Sequence, residues 1–441
     1  MEFLIKAGQL VLSLSILIVL HEFGHYLPAK WFKTRVEKFY LFFDYKFSLF
    51  KKKIGETEWG IGWIPLGGYV KISGMIDESL DKEQMKKEPQ PWEFRAKPAW
   101  QRLIIMAGGV TVNLILGILI YMMVLLIWGK DYITNDDLDH GMAVHELFEQ
   151  YGFRDGDKIL TINGTKPFSV DGMEITKEIA LRDGRVIKVL HNNGTEEILT
   201  LPKDIDMTMF KEGAMGAFSP RTLAKIDSVI PKMNAHKAGL QKGDIITSVN
   251  QTSITYWDEF TDIVKQNKNN TLDLSVKRNN QITNLTVQVD SAGVIGIINA
   301  GFDMSKIKTK KYSITESVTY GFKYGIQTLM DYVSQMKYLF TSKGASSIGG
   351  FGAIGSMYSA TWDWHSFWLN TAFLSLVLAF MNVLPIPALD GGHIMFTLYE
   401  LISGRKPNEK FMEYAQIAGM ILLLGLLLYA NGNDIFRAIF G

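Results

Sequence analysis

The sequence predicts a polytopic α-helical membrane protein with four transmembrane helices, a membrane-associated β-hairpin region and two exported α+β modules. Three observations predict it. Four apolar runs, at about 3–28, at 103–128, from near Phe367, and at about 412–430, approach or exceed the ~20 residues needed to cross a bilayer core. Residues 30–99 carry fourteen Lys or Arg and the 403–411 connection adds Arg405, Lys406 and Lys410, so these segments face the cytoplasm and the one between spans two and three lies outside. That outer segment repeats itself at a fixed offset of 87 residues.

Composition excludes several classes. With 441 residues, 47% of them hydrophobic, the chain can build several domains, some in lipid. A net charge of +1 provides no basic field of the kind that nucleic acid requires. The absence of cysteine removes disulfides, thiolate ligands and a cysteine nucleophile.

The elements follow in order. Residues 1–30 read as a retained first span, since the apolar run leads into His21 and Glu22 with no small-residue cleavage site. Residues 31–100 read as a cytoplasmic, membrane-associated β region and loop. Within it, aromatic and polar residues alternate over 39–49, a turn is expected around Lys51-Lys52-Lys53, and the chain returns through 59–64. Gly67, Gly68 and Tyr69 follow as an edge able to receive an extended substrate strand. Residues 101–129 form the second span. Modules over 135–212 and 216–300 come next, with Gly152, Gly156 and Asp157 matched by Gly239, Gly243 and Asp244. The string Gly-Leu/Phe-x-x-Gly-Asp-x-Ile-x-x-Ile/Val-Asn resembles PDZ domains, which take extended peptides on a sheet edge; a spacer or steric shield is the alternative. Over 310–362 the spacing predicts an amphipathic surface helix and a loop. The third span, 366–402, and the fourth, 411–431, complete the chain.

The most specific run is His21-Glu22-Phe23-Gly24-His25. Histidines one helical turn apart leave the same face and can share one metal ion, and Glu22 is placed to deprotonate a water which that ion activates. A catalytic zinc needs a third protein ligand. Asp390 is the leading candidate, because an acid in an apolar span calls for a partner such as a metal; His393 is the runner-up, with Glu400 and His365 behind. Spans one and three run in the same direction, so His25 and Asp390 fall near the same cytoplasmic end.

These residues resemble the site-2 proteases, the intramembrane zinc metalloproteases. The matching motifs are His21–His25 in span one, Gly109-x-x-x-Asn113 in span two and Asn382-x-x-Pro385-x-Pro387-x-Leu389-Asp390-Gly391-Gly392 in span three. The resemblance implies one Zn²⁺ held by His21, His25 and Asp390, with Glu22 as general base and Asn113 and Asn382 touching substrate or stabilising its transition state. Helix–helix glue is the alternative for the asparagines. It further implies a bacterial inner-membrane location, with the modules in the periplasm. Substrates would be single-span membrane proteins with trimmed ectodomains, such as anti-sigma factors or remnant signal peptides, and the module pair would act as a size filter. Ser347–Ile354 departs from the family, which has Gly-Pro before the small residues there. Two other classes are weighed: a metal transporter, which has no need of Glu22, and an inactive scaffold, which has no need of the full motif set.

Overall fold

The computed structural model describes residues 1–65, 67–75 and 88–440. The chain folds as two compact units, residues 1–129 with 311–441, and residues 130–310. Residues 76–87 of the expected cytoplasmic loop lie outside the described residues.

The long helices of the first unit are α1 (Glu2–Trp31), α2 (Ala99–Ile127), α3 (Ile314–Leu339), α4 (Trp364–Val383), α5 (Asp390–Ser403) and α6 (Glu409–Phe440). Of these, α1, α2, α4 and α6 are long and apolar enough to cross a membrane. Tryptophans mark their ends: Trp31 closes α1, Trp100 and Trp364 open α2 and α4, and all three are exposed. That placement suits the membrane interface, where an amphipathic ring meets both lipid and water.

Helix packing relies on small residues. A Cβ on Gly24 of α1 would sit 2.7 Å from the Gly108 carbonyl carbon and 2.8 Å from the Gly109 Cα of α2. The two backbones therefore touch, as small residues allow where lipid gives no hydrophobic drive to association. Ser375 of α4 donates its hydroxyl to the Asn113 carbonyl of α2 at 2.7 Å. Helix α3 begins with a capping box between Ser313 and Glu316. It falls within the 310–362 stretch where an amphipathic surface helix is expected. Ser317, Gly321 and Gly325 are buried while Ile314, Val318 and Phe322 are exposed. The small residues let α3 approach α2, where a Cβ on Gly321 would lie 2.6 Å from the Met122 Cα. The first turns of the apolar stripe face outward, where lipid can cover them, while Ile326 and Leu329 pack against buried residues of α2 and α4.

The third span also differs from one continuous helix over 366–402. Helix α4 ends at Val383 and α5 starts at Asp390. Pro385 and Pro387 supply no N–H and force the residues before them out of the helical region, so the ladder cannot continue. Ala388 takes a left-handed φ of 77° within this break, and the Gln416 side chain of α6 accepts its N–H at 3.2 Å.

The β region is a four-stranded sheet of β1 (Val36–Leu41), β2 (Phe50–Ile54), β3 (Thr57–Ile61) and β4 (Tyr69–Ile72), in the order β2-β3-β1-β4. β1 runs parallel to β3, and the other pairs are antiparallel. The expected turn at Lys51-Lys52-Lys53 is instead strand; the reversal falls at 55–56, where Gly55 supplies φ 63°. Phe42, at φ 69°, ends β1 inside what reads as unbroken alternation. Phe39, Val70 and Ile72 pack with Ile105 and Met106 of α2 and against Phe23 of α1, which seats the sheet on the helices. Among the described residues β4 pairs only with β1, which makes it the edge strand of this sheet.

In the second unit, Lys158–Ile162, Val186–Leu190 and Glu196–Thr200 form one antiparallel sheet, and Ile245–Val249, Thr271–Arg278 and Gln281–Gln288 form the core of another. Local bonds recur 87 residues apart. Asp157 Oδ2 accepts the Arg154 N–H and Asp244 Oδ2 the Gln241 N–H, both at 2.9 Å, while Asn163 and Asn250 share φ 48°. The basic partner differs. His191 Nδ1 lies 2.6 Å from Asp157 Oδ1 and its Nε2 3.0 Å from Glu197 Oε2, whereas Arg278 Nη2 donates to Asp244 Oδ2 at 2.7 Å.

Candidate metal centre

α1 carries His21, Glu22 and His25 toward α2 and the start of α5. His21 and His25 are one turn apart on a helix that continues to Trp31, so both rings project to the same side. Their Nε2 atoms are 3.3 Å apart, and Asp390 Oδ2 lies 3.2 Å from the first and 3.3 Å from the second. Four ligands at ~2.0–2.1 Å in a tetrahedron stand about 3.3 Å from one another. The three observed separations match that figure. Asp390 Oδ2 is buried and makes no hydrogen bond, although it faces two ring nitrogens. Two imidazoles and a carboxylate oxygen that converge in this way fit the donor set of a zinc site with one open position. Among the described residues, His21, His25 and Asp390 are the group whose ligand atoms gather this way.

The surroundings orient these ligands. His25 Nδ1 faces the Ile105 carbonyl at 2.9 Å. Only an N–H can bond there, so the Nε2 lone pair is left for the metal. His21 Nδ1 lies 3.2 Å from the Asn113 amide, whose Oδ1 is buried without a partner. Turning that amide by 180° sets Oδ1 on a His21 Nδ1–H and likewise frees Nε2. Asn113 is 1% exposed, and its amide meets the His21 ring while the residue also borders the cavity at the cluster. Gly109 leaves room for both rings: a Cβ there would stand 2.6 Å from His21 Cε1 and 2.8 Å from His21 Nε2.

A cavity of about 640 Å³ opens at the cluster. His21, Glu22, His25, Asp390, Asn113 and Asn382 line it together with Gly67, Gly68 and Tyr69. Glu22 is 9% exposed, and a Cβ on Gly68 would stand 3.6 Å from its Cγ, so the stretch that leads into the edge strand β4 lies beside this side chain. A Cβ on Gly68 would meet Ile18 Cγ2 at 2.5 Å and the Tyr40 carbonyl at 2.7 Å, so only glycine allows this approach of β4 to α1. Tyr69 stacks on Tyr40 with centroids 5.4 Å apart and donates its hydroxyl to Asp44 at 2.8 Å.

The competing third ligands lie elsewhere. His393 lines the cavity without joining the cluster. Glu400 is bound by Arg102 at 2.6 Å, and His365 stacks on Trp128 with centroids 5.3 Å apart. Sequence reasoning missed Gln416, which lines the cavity and holds Ala388, as well as Gly108 and the Ile105 carbonyl. No local pattern marks these three, because each acts through a contact between distant segments.

Comparison with known proteins agrees with this geometry. The profile of Peptidase family M50 matches residues 9–426. A protein of Xylella fastidiosa named "Putative zinc metalloprotease" is 29% identical over 457 residues, covering 98% of this chain and 99% of its own length. The regulator of sigma E protease of Haemophilus influenzae is 27% identical over 458 residues, covering 99% of this chain and all of its own. RseP, the regulator of sigma-E protease of Escherichia coli, is 26% identical over 468 residues with the same coverage. A family profile that spans nearly the whole chain shows that this zinc metalloprotease belongs to peptidase family M50, the site-2 proteases.

Proposed function

We infer that this membrane protease cuts peptide bonds within or near the transmembrane segments of single-span membrane proteins. The observation that carries the reading is the near-equilateral triangle of His21, His25 and Asp390 ligand atoms, built on helices apolar enough for a bilayer. Bound there, one zinc ion would polarise a scissile carbonyl and acidify a water molecule. Glu22 takes the proton from the attacking water and passes it to the leaving amide nitrogen. Asn113 fixes the tautomer of His21, and Asn382 offers an amide to the substrate backbone.

A helical substrate hides its carbonyls in its own hydrogen bonds. The edge of β4, beginning at Gly67, Gly68 and Tyr69, would hold an unwound stretch by strand addition next to Glu22. By the Lys and Arg distribution, the site lies toward the cytoplasm and residues 130–310 lie in the periplasm of a bacterial inner membrane. The paired modules, PDZ-like in their Gly-Asp strings, then act as a size filter. They would admit substrates whose ectodomains have already been trimmed, such as anti-sigma factors or remnant signal peptides.

The test is Glu22→Gln in reconstituted protein with a single-span reporter. Cleavage should fall at least about a hundredfold, the usual share of a general base, while zinc content stays at one ion per chain. Cleavage near the wild-type rate would falsify the assignment. For the filter, a reporter with a folded ectodomain should resist cleavage until that domain is removed, and deleting residues 135–300 should abolish the difference. Equal cleavage of both reporters by the intact protein refutes the filter alone.

A further inference from the structure

Helix α6 leaves most of its surface uncovered. Over 411–429 its buried residues are Gln416 and Gly419, which lie on one face of the helix. Both meet the break between α4 and α5. Gln416, 7% exposed, accepts the Ala388 N–H through Oε1 at 3.2 Å. A Cβ on Gly419 would strike the Pro387 carbonyl group, 2.5 Å from its carbon, so the α6 backbone rests directly on that peptide. A buried amide in a membrane span is expensive and marks a function by default. The close approach at Gly419 is what brings this amide within reach of the broken backbone.

Gln416 holds an unusual residue. Ala388 carries a Cβ and yet has φ 77°, a left-handed conformation that L-residues rarely adopt. Such an outlier persists only where its surroundings over-determine it. Ala388 lies two residues before Asp390, and the chain around them is tightly folded. The Leu389 N–H donates to the Ile386 carbonyl at 3.1 Å, and the Gly392 N–H donates to the Leu389 carbonyl at 3.0 Å. Cβ atoms on Gly391 and Gly392 would stand 2.6 Å from the Val383 carbonyl carbon and 2.8 Å from the Pro387 Cα. With so little slack, a shift at Ala388 carries Asp390 with it. We propose that Gln416 is a positioning residue for the metal centre: by holding the Ala388 N–H it fixes the left-handed turn from which Asp390 reaches His21 and His25. This role rests on reading Asp390 as the third zinc ligand. Asp390 Oδ2 lies 3.2 and 3.3 Å from the two histidine Nε2 atoms, and such a site tolerates displacements of only about half an ångström. Metal ligands are commonly oriented by partners one step removed from the ion, and here that partner stands on another helix.

The experiment titrates full-length protein in detergent with zinc against a chelator. It also records the visible absorption of protein loaded with Co²⁺, whose bands report the geometry of the ligands. Gln416→Met keeps the shape of the side chain and removes the acceptor, so zinc affinity should fall about tenfold and the Co²⁺ bands should shift. Gln416→Asn, too short to reach Ala388, should do the same and serves where the methionine variant does not fold. Gln416→Glu retains an acceptor oxygen and should keep the wild-type affinity. Ser13→Ala is the control for a purely structural loss. It removes a fully buried contact between α1 and α4, the Ser13 and Thr371 hydroxyls 3.0 Å apart, and should leave zinc affinity and the spectrum unchanged. Wild-type affinity and spectrum in Gln416→Asn, or equal losses in Ser13→Ala and Gln416→Asn, would overturn the proposal. Asp390→Ala separates the two levels of the reading. If it binds zinc like the wild type, the ligand assignment itself fails; if it loses zinc while the Gln416 variants do not, only the role of Gln416 falls.

Discussion

Replacing Gly109 by alanine tests whether the approach of α2 to the histidines is what keeps the metal ligands in place. The substitution adds one methyl group in the middle of a helix, where alanine is favoured over glycine by about 1 kcal/mol, so helix formation alone predicts a small gain. The new Cβ, however, would lie 2.6 Å from His21 Cε1, whereas ordinary contact begins at 3.4 Å. The His21 ring must therefore retreat by the difference, 0.8 Å, and the His25 ring, which a Cβ would also strike, must move with it. Retreat of α1 as a whole would absorb this only by opening the close contact between Gly24 and Gly108. A ring shifted by that distance no longer meets zinc at ~2.0–2.1 Å. Disturbing the support of a ligand typically costs ten- to a hundredfold in metal affinity, about 1.4–2.8 kcal/mol. The assay is zinc competition against a chelator on purified protein, with the helical circular dichroism signal as the folding control. Gly117→Ala is the comparison, since its Cβ would meet the Leu376 side chain at 2.7 Å, away from the ligands; it should leave zinc affinity unchanged. A Gly109→Ala protein that folds and binds zinc within twofold of wild type would refute the reasoning.

Two further predictions concern partners of histidines. Asn113→Ala removes the group that fixes His21 through Nδ1, and zinc affinity or turnover should fall about ten- to a hundredfold; unchanged values for both would show that the amide does not orient the ring. Burial disfavours the charged form of His191, but hydrogen bonds that its ring donates to Asp157 and Glu197 outweigh it and raise its pKa above 6.5. A raised folded-state pKa means that this stabilisation is complete below the unfolded value of about 6.5 and is lost as pH rises through the folded one. The melting temperature of residues 130–310 should therefore decline from pH 6.5 upward, and His191→Gln should flatten that decline. A wild-type melting profile flat across this range would contradict the assignment. Arg278, in the equivalent place beside Asp244, keeps its charge throughout.

Much of the site was legible in the sequence because its signals are local. His21 and His25 share a face through helical spacing alone, and Asp390 is conspicuous as an acid beside apolar residues. The Gly-Asp strings offset by 87 residues likewise report a local turn that Asp157 and Asp244 close in the same way. What remained hidden depends on which distant segments meet. The parallel pairing of β1 with β3 could not be read from alternation, since alternation records a pleat and not a partner. Gln416 is one amide on a span that is largely exposed, and its importance comes only from the Ala388 N–H it meets. Which residues of α3 touch α2 was hidden as well, because in lipid small residues such as Gly321, not large apolar ones, decide where helices approach.

The interruption between α4 and α5 has a consequence for supply. Each bond this protease cuts consumes one water molecule, and hydrocarbon holds almost none. Over 384–389 the helical ladder is broken, and two prolines contribute no N–H. Turn hydrogen bonds satisfy the carbonyls of Leu384, Ile386 and Leu389, and any carbonyl of the stretch outside those turns needs a polar partner at membrane depth. The same unwound stretch that delivers Asp390 thus favours polar company, and its Ala388 and Leu389 line one cavity with Glu22. In that sense the peptide backbone keeps the co-substrate in stock where the surrounding lipid would otherwise exclude it.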